Sequence, residues 1–330
     1  MKLLIRRAPG TILRDQTLPS SAGGTHPHLF DVYVPNGEVD FVMVALHGGS
    51  GNKQFLPQAM GITHAAVPTV RQVNWTALET FRTILIVPQG QHCNGVTGPF
   101  NPNGVDTVSS KYPDGVATWS NFFMWSGADD VAMLKDMSTW IKTHYSGVAR
   151  VLSGHSNGGM MVSRMWLEWP ETFNLYASTS GPLPLYYDTA GLATPTKLQP
   201  FYVRYSLLDT VLGISGGRAG AANHFWDDTW LQQPEQFSVA NYAYPELGGW
   251  LGGPRFFAWQ ATQMGATFSQ TDATVTPVGS STRTRWALLN NDLVMDLISG
   301  GGHGLVDQAK ATRELPFAVW MRWAFGTFSS

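Results

Sequence analysis

The chain has 330 residues, of which 43% are hydrophobic and only 13% charged, with a formal net charge of −2. That leaves ample apolar material for a large core and no electrostatic footing for nucleic acid. The single cysteine, Cys93, excludes an intrachain disulfide and any four-cysteine or mixed histidine–cysteine zinc site.

The opening MKLLIRRAPG has too short an apolar stretch for a signal peptide. No run of 18 apolar residues occurs, so no membrane span is expected. The compartment stays open between the cytoplasm and secretion with a leader removed. Leu29–Val34 alternates like a strand and stops at the turn Pro35-Asn36-Gly37. Asp40–Leu46 is a continuous apolar run, as expected of a strand buried on both faces of a parallel sheet. It leads into His47-Gly48-Gly49-Ser50-Gly51-Asn52. Trp75–Phe81 reads as helix and Thr83–Val87 as a second buried strand.

Residues 89–127 are rich in Gly, Pro, Asn and Ser and read as a long functional loop. Asp129–His144 places Val131, Met133, Leu134, Met137, Trp140 and Ile141 at helical spacing, with Asp129 and Asp130 in the first turn. Ala149–Leu152 is a short strand, and Gly158–Trp169 a helix that stops at Pro170. Leu175–Ser180, Phe201–Ser206, Arg283–Leu289 and Asp292–Ser299 read as strands, and Val306–Phe325 as one terminal helix. Strands alternating with helices predict an α/β fold with a mostly parallel sheet. A single domain over 1–330 is expected, carrying an aromatic-rich insertion at about 213–265.

Gly154-His155-Ser156-Asn157-Gly158 is a G-x-S-x-G motif between a predicted strand and a predicted helix. That context turns a weak five-residue pattern into a nucleophile elbow, with Ser156 presented at the strand's carboxyl end. Serine needs a base to take its proton and a third group to orient the base. In this arrangement the chain order is serine, acid, histidine. Only His224 and His303 follow Ser156. His303, on a glycine loop after a strand, is preferred to His224, which lies inside the insertion. Asp209 stands three residues past a strand and is preferred as the acid to Asp188, Asp227, Asp228, Asp292 and Asp296. An oxyanion needs amide donors. Asn157 supplies one, and Gly49, with Ser50 as the alternative, supplies the other. His47 reads as a brace for that loop.

These residues resemble the polyhydroxybutyrate depolymerase and feruloyl esterase branch of the α/β-hydrolases. The resemblance rests on Leu46-His47-Gly48-Gly49-Ser50-Gly51-Asn52, Trp119-Ser120-Asn121, Asp129-Asp130-Val131, Gly154-His155-Ser156-Asn157-Gly158-Gly159, Asp209 and Gly301-Gly302-His303-Gly304. It implies an α/β-hydrolase fold and a serine esterase acting on a small or polymeric ester, plausibly a polyester or hydroxyalkanoate oligomer, with no metal or organic cofactor. The chain departs from it in having Gly49 where many relatives have cysteine, and Gly304-Leu305 where relatives often have Trp-Pro. A β-diketone hydrolase or a feruloyl-type esterase would use the same three residues. An acyltransferase and a silent binding scaffold are the remaining readings. Trp119 either faces the substrate or anchors its loop. Trp226 and Trp250, with the other aromatics of the insertion, either form a cap that walls the substrate cleft or pack the insertion onto the core.

Overall fold

A computed structural model describes residues 10–18, 28–93, 116–121, 128–184, 198–212, 250–251 and 253–328. Among these, ten strands form one sheet: β1 (Thr11–Thr17), β2 (Leu29–Val34), β3 (Phe41–Leu46), β4 (Thr83–Pro88), β5 (Ala149–His155), β6 (Leu175–Thr179), β7 (Phe201–Ser206), β8 (Thr274–Val278), β9 (Ser281–Leu288) and β10 (Leu293–Ile298). Their order across the sheet is β1-β2-β4-β3-β5-β6-β7-β10-β9-β8. The six from β4 to β10 are parallel, whereas β1, β2, β9 and β8 pair antiparallel at the two edges. The interior strands β3, β4, β6, β7 and β10 are buried at every position, the reason their sequences are mostly apolar.

Alternation along the strands feeds two layers. Val42, Val44 and Leu46 join the core beneath α3 (Asp130–His144), α4 (Asn157–Glu168) and α5 (Gly253–Gln263). Phe41, Met43 and Ala45 join the core beneath α1 (Phe55–Ala59), α2 (Trp75–Thr80), α6 (Leu305–Thr312) and α7 (Pro316–Phe328). Asp129 caps α3 by accepting the Ala132 N–H at 2.9 Å. The expected terminal helix is two helices. Arg313 turns left-handed, at φ 57°, and Pro316 opens α7, where its missing N–H costs nothing.

The edge strands β1 and β8 escape a hydrophobic reading because they are mostly exposed or half-exposed, and β8 carries Pro277, which only an edge tolerates. Within the expected loop at 89–127, Gln91–Cys93 pairs antiparallel with Val116–Thr118. Within the insertion, 213–249 and Gly252 lie outside the described residues. Trp250–Leu251 pairs with Leu183–Pro184, and Phe256 and Phe257 of α5 are buried in the core, Phe256 edge-on to Trp166 and Phe201. This end of the insertion is therefore part of the main body.

Two buried carboxylates, Asp31 and Asp296, tie parts of this frame together. The Lys53 ammonium reaches Asp31 at 2.5 Å and Asp15 at 2.7 Å, fixing the loop after β3 to β1 and β2. Asp296 on β10 takes two hydrogen bonds from Arg285, at 2.6 and 2.7 Å, and one from the Tyr202 hydroxyl at 2.8 Å.

Candidate active site

Ser156 stands between β5 and α4 with φ 53° and ψ −121°, a conformation costly for any residue but glycine. Its N–H donates to the Thr179 carbonyl on β6 at 2.8 Å, and its carbonyl accepts from the Met160 N–H at 2.9 Å. The turn depends on Gly158, where a Cβ would come within 2.5 Å of the carbonyl oxygens of Leu46 and His47. A side chain there would drive α4 away from the end of β3.

His303 lies on the loop from β10 to α6, and Asp209 follows β7. Both loops leave the carboxyl ends of parallel strands, the same end as Ser156. The His303 Nε2 is 2.7 Å from the Ser156 Oγ, and its Nδ1 is 2.7 Å from the Asp209 Oδ2. Asp209 is fully buried, and its Oδ1 accepts the N–H groups of Val211 and Leu212 at 3.0 Å each. That fixes the carboxylate and leaves Oδ2 for the imidazole. A carboxylate can only accept, so Nδ1 carries the proton and the Nε2 lone pair faces the serine hydroxyl.

Beside the serine, the Ser50 N–H is committed to the Ala117 carbonyl at 2.8 Å. Among the described residues, the backbone N–H groups of Gly49 and of Asn157, at the start of α4, make no hydrogen bond. Of the two candidates on this loop, Gly49 therefore has the free donor. Gly48 packs closely here as well: a Cβ there would stand 3.2 Å from the Ser156 Cβ, tight enough that the serine would have to shift by a few tenths of an ångström.

An antiparallel second strand, the order β1-β2-β4-β3-β5-β6-β7-β10, and a serine on the sharp turn from β5 into a helix decide the architecture. The chain has the α/β-hydrolase fold. No family model and no curated protein sequence matches it. Among solved structures it is similar to an acetyl xylan esterase from Aspergillus awamori, with 15% identity and a TM-score of 0.48 over 95% of this chain and 100% of that one. It is also similar to an S-formylglutathione hydrolase from Staphylococcus aureus, with 10% identity and a TM-score of 0.37 over 62% of this chain and 82% of that one. A third is an alpha-beta serine hydrolase homologue from Coxiella burnetii, with 14% identity and a TM-score of 0.33 over 60% and 74%.

Within this fold Trp119 is fully buried. Its indole N–H donates to the His47 carbonyl at 2.8 Å, its backbone N–H donates to the Asn157 Oδ1 at 2.8 Å, and its ring packs 5.0 Å from that of His47. It is an anchor beneath the loop after β3 and not a wall of an open cleft. Trp226 and His224 lie outside the described residues. Trp250 is placed by its backbone, in the ladder with Pro184.

His47 is buried, donates from Nδ1 to the Gly48 carbonyl at 2.8 Å and accepts the Gly90 N–H on Nε2 at 2.9 Å. Burial pushes its pKa down to about 4, so it is a neutral brace. The unfolded chain binds this proton near pH 6.5 and the folded chain does not, so stability present above pH 6.5 is lost as pH falls toward 4. Between pH 7 and 5 the loss from His47 is about 2 kcal/mol. Urea unfolding should show His47→Gln losing less stability than the parent over that interval, and equal losses would contradict the assignment.

One residue of the site is invisible in the motif. His155, at a position the G-x-S-x-G pattern leaves unrestricted, donates from Nε2 to the His303 carbonyl at 2.7 Å. Its only sequence signal is its place next to the serine.

Proposed function

We propose that this chain is a carboxylic ester hydrolase in which Ser156 is the nucleophile, His303 the base and Asp209 the orienting acid. The observation that carries the reading is the continuous pair of 2.7 Å contacts from the Ser156 hydroxyl through the His303 ring to a buried carboxylate. Ser156 Oγ attacks the acyl carbon while His303 Nε2 takes its proton. The N–H groups of Gly49 and Asn157 receive the negative charge that develops on the acyl oxygen. His303 then gives its proton to the leaving alcohol. Water, deprotonated by the same nitrogen, releases the acid and restores the serine. Throughout, Asp209 holds the imidazole in the useful tautomer and stabilises its cation. Each step is supplied by the chain's own side chains and amides.

Within that class, the substrate we propose is a hydroxyalkanoate oligomer or a related polyester. This rests on the motifs shared with the depolymerase and feruloyl esterase branch, and on an aromatic insertion tethered between the loops of Asp209 and His303. A fluorophosphonate should label Ser156. The purified protein should hydrolyse p-nitrophenyl esters and, faster than acetate or feruloyl esters, hydroxybutyrate oligomers. Absence of both label and ester turnover would overturn the esterase reading. Preferential cleavage of a β-diketone into an acid and a ketone would replace the ester with a carbon–carbon substrate.

A further inference from the structure

Two histidine rings stand side by side at the centre of the site, with centroids 5.0 Å apart, and the mechanism above uses one of them. The second is His155, the last residue of β5. Its Nε2 lies 2.7 Å from the backbone oxygen of His303. A carbonyl can only accept, so His155 must carry its hydrogen on Nε2. Its other face meets the loop after β3, because a Cβ on Gly48 would stand 3.1 Å from the His155 Nδ1. The ring thus fills the gap between the loop that offers the Gly49 amide and the loop that carries the base.

Its charge suits that place. Burial first, and the neighbouring His303 second, push the His155 pKa down to about 4. The ring is neutral through the working range of an esterase. It opposes no positive charge to His303 when that imidazole takes the serine proton. No other side-chain hydrogen bond to the backbone of His303 occurs among the described residues.

We propose that His155 is a positioning residue: its Nε2–H holds the backbone of His303 so that the base stays within hydrogen-bond reach of Ser156 Oγ. The reading rests on Ser156 and His303 being nucleophile and base. Their hydroxyl–imidazole distance is then set by a bond from the residue next to the serine to the backbone of the base itself. Displacing a reacting group by about 1 Å costs on the order of 100-fold in rate, which gives the contact its leverage.

The test compares the parent with Ser156→Ala, His155→Leu and His155→Gln, using p-nitrophenyl acetate and confirming each fold by circular dichroism. Leucine fills similar space without a donor, whereas the glutamine amide can place an N–H near the position of Nε2. His155→Leu should lower kcat roughly 10- to 100-fold with KM changed less than about 3-fold. His155→Gln should recover on the order of 10-fold of that loss. A folded His155→Leu with parental kcat, or a folded His155→Gln as slow as His155→Leu, overturns the proposal. If Ser156→Ala itself turns over ester at the parental rate, the nucleophile reading falls and this one with it. If Ser156→Ala is inactive while His155→Leu is not impaired, this inference alone fails.

Discussion

Ser156→Ala should lower kcat by a factor on the order of 10⁶ and leave the fold in place. Among the described residues the hydroxyl makes one hydrogen bond, to the His303 Nε2, so little is lost with it. The strained backbone at φ 53° is set by Gly158 and by the bond to the Thr179 carbonyl, neither of which the substitution touches. His303→Ala should do comparable damage, because an unassisted serine is a poor nucleophile at neutral pH. The two changes act on one unit, so Ser156→Ala combined with His303→Ala should be scarcely slower than either alone. Residual turnover of about 10³-fold above the uncatalysed rate is expected from the remaining amides and binding. Steady-state hydrolysis of a p-nitrophenyl ester, with melting curves alongside, makes the measurement. Additive losses in the double variant would mean that serine and histidine serve separate steps, and an active Ser156→Ala would remove the nucleophile altogether.

Much of this molecule is readable from composition along the chain, and the physical reason is burial on both faces. Strands such as Phe41–Leu46 and Leu293–Ile298 are wholly apolar or nearly so because helices cover each side of the sheet. The edges are not readable in that way. Thr11–Thr17 has one face toward water, and its polar alternation is indistinguishable from loop sequence. At the other edge Pro277 argues against a strand until its position at the margin is known. The break between α6 and α7 lay in plain view at Pro316. The apolar residues after it disguised the boundary by continuing the helical spacing.

The site divides along the same line between local and distant information. Ser156 is legible because a glycine motif joins a strand to a helix, a local pattern. Asp209 and His303 follow from their places just beyond strand ends, which a parallel sheet brings to one side. The choice between Gly49 and Ser50 was not legible. It turns on a bond from the Ser50 N–H to the Ala117 carbonyl, in a short strand far along the chain whose sequence carries no strand signal. Trp119 left two readings open for the same reason. Only the path of its loop puts the indole beneath His47. The contact made by His155 is not legible from sequence, since its partner is a backbone carbonyl and leaves no trace in residue type.

Asp209→Asn should lower kcat by about 10⁴-fold with almost no structural cost. The amide oxygen can keep the two bonds from the Val211 and Leu212 N–H groups, each 3.0 Å long in the parent. The amide nitrogen then faces His303 in place of the Oδ2 now 2.7 Å away. An NH₂ group donates, so the Nδ1 that faces it must present a lone pair, and the ring proton moves to Nε2. That nitrogen then points a hydrogen at the Ser156 hydroxyl and can no longer accept from it. The loss falls on the chemical step, so KM should change little while kcat collapses. Asp209→Ala separates the residue's structural anchoring from its action on the imidazole: it also strips the two amide bonds and should lower the melting temperature, whereas the asparagine variant should not. Activity in Asp209→Asn above about a tenth of the parent's would place the acid elsewhere, well short of the loss a wrong tautomer causes. Asp296 could not then take over, since its two oxygens are held by Arg285 and Tyr202.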